Sequence, residues 1–105
     1  MNKKQQQLAL YQQILALYDG KWTDRGELAE AIKSEIFLNQ YYDEYGYKND
    51  ESLDEILTDC LYLIEGEKAS SKWQVNDHWR YLKSRLSEMR TFVAKETSLD
   101  RKSVV

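Results

Sequence analysis

The sequence predicts an all-α protein, a compact antiparallel four-helix bundle with a long, central C-terminal helix. Three observations carry that expectation. Val75, Trp79, Leu82, Leu86, Met89 and Val93 recur between Ser71 and Glu96 at alternating steps of four and three residues. That spacing lines one stripe of an α-helix and makes a coiled-coil-like seam. Proline is absent and only four glycines occur; Gly20, Gly46 and Gly66 fall between apolar-periodic runs, where helix ends use them. Finally, Asp24/Glu27, Ser52/Glu55 and Ser71/Gln74 each stand at capping-box spacing before an apolar run.

The first helix is expected from about Asn2 to Tyr18. Leu8, Tyr11, Leu15 and Tyr18 form one stripe, and Leu10, Ile14 and Leu17 an adjacent one. A face that wide must pack against two neighbours. Asp19-Gly20 is a stop signal. The second helix begins after Trp22 with Asp24 or Thr23 as cap, and Leu28, Ile32 and Ile36 form its apolar stripe. Beyond Ile36 the pattern changes side: Phe37, Leu38, Tyr41, Tyr42 and Tyr45 point away from Leu28 at 100° per residue. Either the helix bends there or an aromatic face is left for something else.

Residues 46–52 read as a loop, and Ser52 opens the third helix. Its buried face is expected to be Leu53, Ile56, Leu57, Cys60, Leu61 and Ile64, with Glu51, Asp54, Glu55, Asp59 and Tyr62 turned away. Gly66 suits the position just past a helix end. In the fourth helix, Trp73 points away from the seam and is expected to pack beneath the 66–70 connection. Residues 97–105 lack an amphipathic pattern and are expected to fray, leaving 1–96 as a single domain.

A chain of 105 residues with 42% hydrophobic and 31% charged residues has the composition of a globular domain. The longest apolar runs are far too short to cross a bilayer, and a single cysteine excludes an internal disulfide, so a cytoplasmic setting is expected. The net charge of −3 hides an asymmetry. Residues 23–67 hold thirteen acidic and three basic residues, whereas residues 68–105 hold nine basic and four acidic ones. An acidic surface of that kind steers basic partners.

No catalytic, cofactor or metal motif stands out. His78 and Cys60 are the only residues of their kinds. Cys60, on an apolar stripe, reads as a buried inert thiol, and His78 as a partly exposed structural histidine. The acids lack the glycine-turned loop of an EF-hand, and no phosphate-binding glycine loop occurs. Gly26-Glu27-Leu28-Ala29-Glu30-Ala31-Ile32 resembles the first helix of a helix-turn-helix pair. A turn and a basic recognition helix should follow, whereas Ile36-Phe37-Leu38 continues as helix and Asp43-Glu44 are acidic. An acidic domain is a poor polyanion binder.

The strongest surface signal is the tyrosine-acid stretch. Tyr41, Asp43, Glu44, Tyr45, Tyr47, Asp50, Glu51, Asp54, Glu55, Asp59 and Tyr62 are its candidate partner-binding residues. Tyrosine gives contact area at low entropic cost, and surrounding carboxylates orient a basic protein. The function this implies is non-enzymatic binding and neutralisation of a basic protein, as by an immunity protein, an antitoxin or a phage-encoded inhibitor of a nucleic-acid enzyme. The alternatives are a DNA-associated regulator using residues 22–45, and a homodimer burying the tyrosine face.

Overall fold

The computed structural model describes residues 3–39 and 50–104, with side chains placed for 4–39 and 50–98. Four helices follow one another: α1 Lys3–Asp19, α2 Arg25–Asn39, α3 Glu51–Lys68 and α4 Lys72–Val104. The expected all-α, four-helix class is therefore the observed one. Helix α3 packs on α2 and α4, and α1 on α2 and α4. The directions are antiparallel: near the start of α4, Gln74 reaches the Tyr62 carbonyl, while further along Arg85 meets Glu55. Likewise Lys4 pairs with Glu96 and Tyr18 meets Trp79.

The core is built from the apolar stripes. Leu10, Ile14, Leu28, Ile32, Ile56, Leu63, Leu82 and Leu86 are its largest fully buried aliphatic side chains. In α1, Leu10, Tyr11, Ile14 and Leu15 are buried together, as a helix serving two neighbours requires. The α4 seam is buried at Val75, Leu82, Leu86 and Met89, and half-buried at Trp79 and Val93. Trp79 closes one end of the bundle, meeting the Tyr18 and Trp22 rings edge-on at 6.2 and 5.5 Å between centroids. The Arg25 and Lys83 cations lie over it at 5.5 and 5.7 Å.

Helices α2 and α3 start at side-chain caps. Asp24 Oδ1 accepts from the Glu27 amide at 2.8 Å, and the Glu27 carboxylate accepts back from the Thr23 backbone. The cap of α3 is not Ser52, as expected, but Asp50, whose Oδ1 accepts from the Leu53 amide. A carboxylate competes well for this position because it is an ionised acceptor at the positive end of the helix. Ser71 precedes α4 as expected. Gln74, however, donates to the Tyr62 carbonyl and ties α4 to α3, so that the third box is not closed by its side chain.

The α3–α4 turn corrects the reading of Gly66. It lies inside α3, where an added Cβ would stand 2.9 Å from Val75 Cγ2. The missing side chain lets the first turn of α4 sit close against α3. The chain reverses instead at Ser70, with φ of 54°, while Ser71 and Ser70 amides donate to the Gly66 and Glu67 carbonyls. This is the two-bond pattern that usually places glycine where Ser70 stands. Ser70→Gly is therefore expected to raise stability by about 0.5–1 kcal/mol, because the left-handed backbone disfavours a Cβ. A lower urea midpoint for the variant would contradict it.

Other expectations change as well. Leu61 is 46% exposed, and Leu63 takes its place in the core. Trp73 is 68% exposed and does not pack under the turn. Helix α4 runs past Glu96 to Val104. Helix α2 continues unbroken to Asn39, with Phe37 and Leu38 exposed at its end.

Candidate protein-binding face

Asp59 organises the outer seam between α3 and α4. It stands three residues after Ile56 and four before Leu63, both buried, so its helical position faces inward rather than to solvent. A buried carboxylate has to be paired. Here Oδ1 meets His78 Nδ1 at 3.0 Å, and Oδ2 accepts from Arg85 Nε at 2.7 Å. Since an ionised carboxylate only accepts, the imidazole donates from Nδ1. Arg85 also donates from Nη1 to Glu55, and these carboxylates hold its guanidinium pKa above the ordinary value. The expectation that Asp59 turns away from the core is thus overturned: its side chain is only 4% exposed.

The same arrangement fixes an aromatic patch. The Tyr62 ring stacks on His78 at 4.4 Å between centroids and 10° between planes, and Tyr81 meets His78 edge-on at 5.5 Å. Tyr62 and Tyr81 are 45% and 43% exposed, and exposed Leu61 adjoins Tyr62. Thr58, Leu61, Tyr62 and Glu65 line a shallow depression of about 310 Å³ on α3. Asp59 holds the His78 imidazole on its other edge, so Tyr62 stacks on a positioned ring.

Asp50 organises a second region, between α1 and the start of α3. Its Oδ2 accepts from Tyr11 Oη and, at 2.8 Å, from Gln7 Nε2. Asp50 is 8% exposed, so this acid caps a helix and joins it to α1 instead of steering a partner. Burial, helped by the hydrogen bond and the charge of Asp50, pushes the Tyr11 phenol well above its ordinary pKa. Beside it opens a cleft of about 510 Å³.

The remaining candidates divide plainly. Tyr41, Asp43, Glu44, Tyr45 and Tyr47 lie outside the described residues. Glu51 and Glu55 are exposed, and Asp54 is half-exposed near them. Tyr62 lies on the outer face with Glu55. Sequence reasoning passed over Tyr81, Leu61 and His78 as members of this patch. Tyr81 had a legible signal: it follows Arg80 and precedes Leu82, one step off the seam.

Among the described residues, no group of three or more potential metal-ligating side chains converges, and no helix is long and apolar enough to cross a membrane. Cys60 is fully buried, and burial with the charge of Asp59 pushes its thiol up to about 12. The native chain holds the Cys60 and Tyr11 protons more tightly than the unfolded chain, which releases them near 9.0 and 10.0. That stabilisation is complete below pH 9 and is lost as the pH rises through the native values. Urea midpoints are therefore expected to fall from about pH 9 upward, and less steeply in Cys60→Ala. A flat alkaline profile would show that neither group is sequestered.

Comparison with protein-family models, curated proteins and solved structures finds no match to this chain.

Proposed function

We propose that the chain is a small protein-binding module that docks a basic protein through the outer face of α3 and the adjoining turns of α4. One observation carries this reading: exposed Tyr62 and Tyr81 pack on a positioned His78, exposed Leu61 lies beside Tyr62, and Glu55 and Glu65 flank Tyr62 along α3. An aromatic centre with a charged rim is the arrangement that concentrates binding energy at protein interfaces. The role that suits it is stoichiometric inhibition or neutralisation, in the manner of an immunity protein, an antitoxin or a phage inhibitor. A surface of carboxylates and tyrosines competes for a site built to hold phosphate. The reading as a DNA-associated regulator draws less support, because α2 runs unbroken through Asn39 where a turn and a recognition helix would be needed.

The test is affinity capture from the cell that encodes the chain, followed by kinetics with the captured protein. A basic partner bound one to one is expected. Tyr62→Ala should mainly speed dissociation, by about tenfold or more, while Glu51→Gln, Glu55→Gln and Glu65→Gln together should slow association and flatten its salt dependence. Wild-type rates in both folded variants would end the proposal.

A further inference from the structure

The cleft between α1, α3 and α4 has a different chemistry from the aromatic patch. Its volume of about 510 Å³ lies within the range of sites that enclose a ligand group. Its floor is apolar: Ile56 and Met89 are buried, and Phe92 stands edge-on to Tyr11 at 5.7 Å. Among the described residues, four carboxylates line it, those of Asp50, Glu51, Glu55 and Glu88, against one cation, Arg85. Two of the four are engaged: Asp50 with Tyr11 and Gln7, and Glu55 with Arg85. Glu51 and Glu88 are exposed and make no hydrogen bond or ion pair among the described residues. Arg85 is bound to Asp59 and Glu55 and its charge also acts on Glu88, so one guanidinium is shared among several carboxylates and the described lining keeps an acidic excess.

An apolar floor under an excess of carboxylates suits a group with a hydrocarbon stem and a cationic head. A guanidinium matches better than an ammonium. It is less strongly hydrated, its planar fork can take two carboxylates, and its face can lie on an aromatic ring. We propose that this cleft receives an arginine side chain of the protein partner, its stem on Met89 and Phe92 and its head between Glu51 and Glu88. The proposal rests on the protein-binding reading and names the residue type that the partner presents beside the Tyr62 patch, with Glu55 common to both.

The test needs no partner, so its failure can be told from failure of that reading. Acetyl-arginine amide is titrated into the isotope-labelled full chain and followed by amide chemical shifts, alongside its neutral citrulline analogue and the free diamine cadaverine. Saturable shifts at Tyr11, Glu51, Met89 and Phe92 are expected with the arginine compound alone. They should weaken roughly fivefold in a Glu51→Gln/Glu88→Gln variant, the effect of losing about 1 kcal/mol of exposed ion pairing. Both substitutions are at exposed positions, and the amide spectrum itself reports that the variant is folded. No saturable shift, equal shifts with the citrulline analogue, or unchanged binding in the variant would overturn the proposal. Tighter binding of cadaverine would also overturn it, assigning the cleft to a free amine.

Discussion

Leu86→Ala is expected to destabilise the protein by about 2–5 kcal/mol. Leu86 is fully buried near the middle of α4, one turn from the equally buried Leu82 and beside Met89. Truncation removes transfer energy and leaves a cavity that helices held on both sides cannot close. Helix propensity does not offset the loss, since alanine and leucine differ little in it. Ser87→Ala, on the exposed face of the same helix, should change stability by about 0.5 kcal/mol or less. Urea unfolding of the two variants makes the check. A loss below about 1 kcal/mol for Leu86→Ala would mean that the α4 seam is not the centre of the core.

The second large effect concerns Asp50. Asp50→Ala is expected to cost about 2–4 kcal/mol, since it removes a helix cap and the buried acceptor of the Tyr11 hydroxyl, and leaves the Gln7 amide only its bond to Tyr11. Asp50→Asn should cost less, because asparagine caps nearly as well and its carbonyl oxygen can still accept. Tyr11→Phe in the Asp50→Ala background should cost less than in the wild type, since the hydroxyl it removes has already lost its acceptor. A stable Asp50→Ala protein would return Asp50 to the binding surface. The outcome also decides how the acidic face can be probed. Neutralising Asp50 together with Glu51, Asp54 and Glu55 would unsettle the fold and mimic a binding defect, so charge changes belong at Glu51, Glu55 and Glu65.

The helices and the seam were decided within the sequence. The four-and-three spacing from Val75 to Val93 marks one face whatever packs against it, and Asp24 acts on the Glu27 amide within the next turn. Such features depend on neighbours a few residues away, so local chemistry settles them. The orientation of the acids was not local. Asp59 reads as surface by residue type, and it is buried because His78 and Arg85, on another helix, supply its hydrogen-bond partners. Asp50 is the cap in place of Ser52 because Tyr11 and Gln7 converge on it from α1. Gly66 resembles a helix end, but its missing side chain serves the close approach of Val75. Trp73 reads as a residue that must find cover and stays exposed. Burying a charge depends on whether a partner arrives from elsewhere in the chain, and only the tertiary arrangement supplies that partner.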